Sequence, residues 1–188
     1  KGIVTMTGGT ISGNTGYDGG GIMFYNATGT ISNALIKGNR ATNFGGGIQA
    51  ANSSNVTIEN TQISENNTYG GGGVSAQENS TVTINGGRIF KNNAKQGCGL
   101  RIDVAVAHLN NGVEISENGS ADGMYNDLEI YGAGIWTSEA TINFNDANVI
   151  NNHGYKGGGV YTYDDKVFLN LYNGNITGNT ATVEAGGI

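Results

Sequence analysis

A cluster of glycines followed by one aliphatic residue recurs along the chain, and its spacing constrains the fold more than any other feature. The first clusters are Gly19–Gly21 before Ile22 and Gly45–Gly47 before Ile48. Steps of 26, 26, 26, 35, 25 and 28 residues separate the aliphatic positions, which are Ile22, Ile48, Val74, Leu100, Ile135, Val160 and Ile188. A recurring period of this length indicates repeat units that stack on one another.

A second motif, an aliphatic residue three positions before an asparagine, keeps nearly the same period. Its asparagines follow one another at 25, 27, 26, 26, 34 and 27 residues and are Asn14, Asn39, Asn66, Asn92, Asn118, Asn152 and Asn179. Both motifs stretch only between the fourth and fifth repeats, which predicts one loop insertion between coils at residues 119–131. This segment contains Asp122, Tyr125, Asp127, Glu129 and Tyr131.

A third element lies between these motifs, as in Gly29–Ile31, Val56–Ile58 and Val82–Ile84. All three elements alternate polar and apolar residues for only three or four positions, which is typical of short strands. The sequence therefore predicts an all-β fold, a right-handed single-stranded parallel β-helix of about seven coils with three short strands per coil. Because the sequence opens just before one repeat unit and closes in the middle of another, we expect residues 1–188 to be one β-helix domain within a longer protein.

The recurring asparagines predict an interior ladder. Asparagine tolerates a left-handed corner, and its amide both donates and accepts hydrogen bonds, so identical residues in stacked coils satisfy one another. We expect the seven asparagines of the second motif to form this ladder along the axis of the solenoid.

Composition argues against several functional classes. A formal charge of −6 with nine Lys and Arg residues offers no basic surface for nucleic acid. Cys98 is the only cysteine and the two histidines, His108 and His153, stand apart, so no metal site and no cofactor are predicted. No apolar run approaches the length of a membrane span, so we expect no direct membrane insertion.

The residues after each glycine cluster predict a surface. If the aliphatic residue points inward, the next residue and the third residue after it point outward. In the later coils these outward positions become aromatic and charged, next to the insertion. These positions are candidates for a carbohydrate-binding surface, with rings for stacking and charged groups for hydrogen bonds, formed by Arg101, Asp103, Trp136, Tyr161 and Tyr163. The alternative, which the sequence favours, is a flat sheet on which cross-strand aromatic neighbours stabilise one another without binding a ligand.

Other activities find less support in the sequence. A lyase or glycosidase needs converging carboxylates, or a carboxylate with a base, and the candidates are Arg101 with Asp103 and Asp164 with Asp165. The first pair also fits a surface ion pair and the second a turn, so no catalytic residue is predicted. A threonine column at Thr30, Thr57 and Thr83 resembles an ice-binding face but ends at the fourth coil.

The paired motifs resemble those of the polymorphic outer membrane proteins and related adhesin-like β-helical repeats. The matching residues are Gly20–Ile22 and Ile11–Asn14 with their successors, although that family more often has alanine before the aliphatic residue and phenylalanine at the start of the asparagine motif. The resemblance implies a non-catalytic rod or adhesin segment outside the cell. Its expected partners are glycans, surface proteins of a host or neighbouring cell, or other copies of the rod associated end to end or laterally. The alternative is a carbohydrate-binding or carbohydrate-active β-helix.

Overall fold

The computed structural model describes residues 2–119 and 130–188. Within this part of the chain the protein is a right-handed parallel β-helix of about seven coils, as predicted, and it contains no helix. Asp122, Tyr125, Asp127 and Glu129 of the predicted insertion lie outside the described residues.

Four sheets run along the solenoid, and every pair of neighbouring strands in them is parallel. The strands of sheet I are Gly2–Thr7, Ala27–Ser32, Asn55–Glu59, Thr81–Asn85, Val106–Asn110, Thr141–Phe144 and Phe168–Leu171. The strands of sheet II are Thr10–Ser12, Leu35–Lys37, Gln62–Ser64, Arg88–Phe90, Val113–Ser116, Ala147–Ile150 and Gly174–Thr177.

Sheet III is a fourth short strand position in each coil, beyond the three that the sequence predicts. Its strands are Thr15–Gly16, Arg40–Ala41, Asn67–Gly70 and Asn93–Gln96, followed by the pair His153–Lys156 and Thr180–Glu184. Tyr131 bridges Gln96 to Lys156 and joins the two parts. These segments carry no repeating aliphatic residue, and their buried positions hold small residues such as Ala41, Thr68 and Ala94, so the aliphatic period does not mark them.

Sheet IV follows the glycine clusters, and its strands are Ile22–Tyr25, Ile48–Ala51, Val74–Gln77, Leu100–Asp103, Ile135–Ser138 and Val160–Thr162. Ile22, Ile48 and Val74 pair directly with one another, and the same column continues through Leu100 and Ile135 to Val160. From Ile48 to Val160 this column is completely buried. It packs against inward residues of sheets I and II in one continuous apolar core.

The repeated asparagines lie in one file, each hydrogen-bonded to the asparagine of the next coil. The Oδ1 atom of Asn92 accepts from the backbone N–H of Asn66 and from its Nδ2, both at 3.0 Å. Asn92 in turn donates to Asn118 Oδ1, and its second Nδ2 proton goes to the Ile63 carbonyl at 3.0 Å. The five central members, Asn39, Asn66, Asn92, Asn118 and Asn152, are buried.

The third glycine of each cluster packs against this file, which ties sheet IV to the asparagines. A Cβ atom on Gly73 would lie 3.2 Å from Asn92 Nδ2, 2.6 Å from Ile89 Cγ2 and 2.7 Å from the Gly99 carbonyl oxygen. The glycine is needed for space, since nothing larger fits between these atoms. Sheet IV is thereby held at a fixed distance from the ladder in each coil.

Candidate functional site

The outward residues of sheet IV form one column, in which each residue is the cross-strand neighbour of the next. We call this the outer column, and its members are Met23, Gln49, Ser75, Arg101, Trp136 and Tyr161. The sequence predicts that they face solvent. That expectation is wrong for four of them, because Gln49, Ser75, Arg101 and Trp136 are buried.

Part of the packing around Arg101 comes from a side chain that precedes a glycine cluster. Phe44 lies directly before Gly45, and in the next coil its position is taken by Gly70, with which it forms a bridge. A Cβ atom on Gly70 would lie 2.7 Å from Arg101 Cδ and 2.9 Å from Phe44 Cδ1. The missing side chain at Gly70 therefore gives the Arg101 side chain room to reach the Phe44 ring.

Arg101 is the centre of this layer. Its guanidinium carbon lies 4.3 Å from the centroid of the Phe44 ring and 4.9 Å from that of Trp136. Nη2 donates to Asp103 Oδ2 at 2.7 Å, Nη1 to Gln77 Oε1 at 3.1 Å, and Nε contacts the Gln96 amide oxygen at 3.4 Å. Burial lowers the pKa of Arg101 and the Asp103 carboxylate opposes this effect. An arginine retains its proton in proteins, so the group acts here as a fixed cation.

The other predicted binding residues lie next to Arg101 or next to Trp136, but they do not form an open platform. Trp136 is only 4% exposed, and its ring lies 5.7 Å from that of Tyr163, which is 66% exposed. Tyr161 meets Tyr131 edge-on at 5.7 Å. The expectation of an open indole face at Trp136 is therefore wrong, because Arg101 and Tyr163 lie against the ring. Ligand binding by these residues stays a prediction.

The candidate catalytic groups have local structural partners. Asp164 accepts hydrogen bonds from the Ser138 hydroxyl and from the backbone N–H groups of Glu139 and Lys166. The Ser138 hydrogen bond, followed by those from the backbone, holds the pKa of Asp164 below its ordinary value. Such an arrangement stabilises a turn, because a carboxylate that accepts three hydrogen bonds is a weak base.

The two histidines also contact neighbours in adjacent coils. His108 Nδ1 lies 3.2 Å from Asn143 Nδ2, and His153 Nδ1 lies 2.6 Å from Thr180 Oγ1. His108 occupies the position that Thr30, Thr57 and Thr83 hold in earlier coils of sheet I, so the threonine column ends there. Residues 2–119 and 130–188 contain no group of three or more His, Cys, Asp or Glu side chains that could hold a metal ion.

Cys98 takes the place of a glycine in the fourth cluster and is completely buried. It packs with Ala94, Ile130 and Ala133 in a small apolar cluster apart from the main core. Burial raises the pKa of Cys98 to about 12. The thiol is therefore unreactive in the folded protein at neutral pH.

Sequence reasoning did not identify the residues that surround the Arg101 side chain. Gln77, Glu78 and Asn79 border a shallow, open depression beside Arg101, and Phe44 lies at its edge. In the outer column, both polar atoms of Gln49 and the hydroxyl of Ser75 are buried without a hydrogen-bond partner in the described part of the chain. Only Phe44, an aromatic residue directly before a glycine cluster, gave a signal in the sequence.

No helix in the described residues has the length and apolar character that crossing a membrane requires. A family model described as right handed beta helix region matches residues 2–188. No curated protein and no solved structure matches the chain. Because the family match covers nearly the entire sequence and the coils have the geometry described above, this chain belongs to the family of right-handed β-helix regions.

Proposed function

We propose that this chain is a non-catalytic structural rod or adhesin segment that acts outside the cell and presents its outer side chains to a partner. The observation that supports this most directly is that the side chain of Arg101, a member of the first candidate catalytic pair, is already bonded to its neighbours. The Arg101 guanidinium donates to Asp103, Gln77 and Gln96 and lies between two aromatic rings. A cation held in this way stabilises the surface layer and has no free partner for acid–base chemistry.

The interior also suits a rod. Every strand pairs with strands of the adjacent coils, and the asparagine file repeats the same hydrogen bonds from coil to coil, so length is gained by adding coils without changing the core. Such a solenoid is a stiff spacer that holds a binding surface away from an anchor. Glycans and proteins of a host or neighbouring cell surface are the proposed partners, together with other copies of the rod.

The extracellular location is part of the proposal, and it has its own test. Antibodies against the chain should label intact source cells without permeabilisation. Labelling that appears only after permeabilisation would contradict it.

The absence of catalysis is tested separately. The chain is incubated with neutral and uronate-containing polysaccharides, and polymer length is followed by size-exclusion chromatography. The expected result is no shortening. Depolymerisation by the native chain that disappears in Asp103→Asn would overturn the non-catalytic proposal.

Carbohydrate binding is a second candidate, favoured by one observation. Arg101, Asp103, Trp136, Tyr161 and Tyr163 do adjoin one another on one side of the solenoid, and Tyr163 offers an exposed ring. Aromatic rings next to charged hydrogen-bonding groups are typical of sugar sites. If this candidate is correct, Tyr163→Ala should weaken glycan binding more than Trp136→Phe, because only the Tyr163 ring is accessible.

A further inference from the structure

The tyrosines are concentrated on one side of the solenoid, where sheets III and IV adjoin. Among the described residues only Tyr172 lies elsewhere, between sheets I and II. The others define what we call the tyrosine face, and they are Tyr17, Tyr25, Tyr69, Tyr131, Tyr155, Tyr161 and Tyr163. Tyrosine is enriched at protein–protein interfaces, because its ring is apolar and its hydroxyl group tolerates water. This side is therefore the strongest candidate for a docking surface.

The tyrosine face has an aromatic group near each end of sheet IV. On the first strand of this sheet Tyr25 is 61% exposed and Met23 is 44% exposed. Next to its sixth strand Tyr163 is 66% exposed, and Tyr161 is half-buried. The outer column is buried in the four strands between them. A partner with the same coil spacing and an aromatic group at each end fits both groups at once, and a second copy of this chain has both.

A column of residues directly before the glycine clusters is complementary to itself in reverse order. Its members along the chain are Asp18, Phe44, Gly70, Gln96, Tyr131 and Lys156. Bridges and strand pairing join the later members, and Asp18 Oδ1 accepts from the Phe44 backbone N–H at 3.2 Å. In reverse order Asp18 lies opposite Lys156, and the Phe44 ring lies opposite Tyr131. In the same order like charges meet, so charge favours the reversed arrangement.

A two-fold axis that lies in the interface and is perpendicular to the solenoid axis produces this reversal. It keeps sheet III against sheet III and sheet IV against sheet IV, and it places Tyr25 opposite Tyr163. Lys156 donates to Glu184 at 2.7 Å, and its ammonium group has further protons for Asp18 of a second copy. The interface uses the same surface on both copies, so the assembly closes as a dimer.

We propose that two copies of this chain pair side by side and antiparallel through their tyrosine faces. The inference rests on the proposed rod that associates with its own copies, and it specifies the surface and the direction of that association. Six coils at about 4.8 Å each and a width of about 20 Å give about 1,200 Å² of buried surface in total. This area is at the lower end for a specific interface, so the dimer should dissociate in the micromolar range.

Sedimentation equilibrium of the full chain, at about 1–200 μM, tests the pairing. The mass should rise with concentration from 19.4 kDa towards twice that value. Tyr25→Ser should weaken the association about tenfold or more, because each dimer loses two exposed rings. Tyr172→Ser is the matched control, since this tyrosine is 72% exposed but lies outside the tyrosine face, and it should change nothing. A mass that stays at 19.4 kDa, or equal effects of the two substitutions, would overturn the proposal.

Disulfide crosslinking tests the direction. Antiparallel pairing predicts that Tyr25→Cys and Tyr163→Cys crosslink when the two variants are mixed, but that neither crosslinks alone. Within one variant the two cysteines of a dimer would lie about 24 Å apart, too far for a disulfide. Cys98 is completely buried and does not interfere. Crosslinking of each variant alone, without crosslinking in the mixture, indicates parallel copies and would contradict the proposal.

These results are distinguishable from a failure of the proposed function. A monomeric chain that is labelled on intact cells would overturn the pairing and leave the extracellular rod in place. A dimer that is absent from the cell surface would overturn the extracellular role and leave the pairing in place.

Discussion

Two buried columns with polar members run along this solenoid, and they differ in how their hydrogen bonds are satisfied. The asparagine ladder repeats one residue, and each central amide is paired with its neighbours in both directions. The outer column changes residue in every coil and leaves Gln49 and Ser75 without partners. Repetition lets each amide satisfy the next and therefore stabilises the fold, whereas a column that changes residue in every coil leaves Gln49 and Ser75 unpaired.

The largest expected effect is a break in the ladder. Asn92→Leu removes the acceptor of the Asn66 N–H and Nδ2 groups and the donor to the Ile63 carbonyl. Two or three orphaned groups should lower the free energy of unfolding by about 3–6 kcal/mol in urea denaturation.

The matched control for the ladder is an asparagine on the outside of sheet II. Asn148 accepts one exposed hydrogen bond from Asn175, so Asn148→Leu should change the free energy of unfolding by no more than about 0.5 kcal/mol. Equal effects of the two substitutions would remove the distinction between the ladder and the surface.

A second substitution tests the contact between the glycine clusters and the ladder. Gly73→Ala places a methyl group against Ile89 and the Gly99 carbonyl and should cost about 3 kcal/mol. Gly38→Ala is the control, because a Cβ there meets nothing within 4 Å, although the backbone has a φ of 63°. Glu65 holds the same position in the next coil with a φ of 56°, so the control should cost only about 1 kcal/mol. A larger loss in the control would contradict this account.

A substitution of Arg101 tests how much the packing of the outer column contributes to stability. Arg101→Ala uncovers Phe44 and Trp136 and leaves Asp103 without its cation, which should cost about 2 kcal/mol. Arg88 pairs with two carboxylates, those of Glu114 and Glu117, but its side chain is more exposed than that of Arg101. Arg88→Ala should therefore cost less than about 1 kcal/mol. A larger loss of stability in Arg88→Ala than in Arg101→Ala would show that the packing of Arg101 against Phe44 and Trp136 adds nothing to stability.

The smallest effect concerns Cys98, which belongs to neither column. The folded thiol has a pKa of about 12, against an ordinary value of 9.0, so only the unfolded chain ionises as the pH rises past 9. The stability that the buried neutral thiol contributes is fully present below pH 9. It is lost as the pH rises from 9 to about 12, at about 1.4 kcal/mol per pH unit. Cys98→Ala has the residue that the next coil has at Ala133. Between pH 8 and pH 10 this variant should lose about 1 kcal/mol less of its free energy of unfolding than the native chain does. Identical pH profiles for the two proteins would contradict the burial of Cys98.

Most of the fold could be predicted because stacking requires the same residue type at the same place in every coil. Ile48, Val74 and Leu100 reveal a column by their spacing alone. The strands of sheet III remained hidden, since their buried column holds small residues, among them Ala41, Thr68 and Ala94, and no repeated aliphatic residue. A column of this kind gives no aliphatic period to detect.

The candidate site could be predicted only in part. Strand alternation correctly points Arg101 and Trp136 away from the apolar core, but it says nothing about what lies over them. The packing of Arg101 depends on Phe44 and on the missing side chain of Gly70, two coils and one coil before it, and the Trp136 ring is covered by Arg101 and Tyr163. These are single residues that do not recur, so their effect on exposure requires coordinates.

Hydrogen exchange of side-chain amides, followed by NMR, tests the central claim most directly. If the asparagine ladder is continuous and buried, the Nδ2 protons of Asn66, Asn92 and Asn118 should exchange only through global unfolding. Their exchange should be slower than that of Asn148 by a factor of about 10³ or more. Exchange of the ladder amides at the rate of Asn148 would contradict the ladder and the stacked interior built on it.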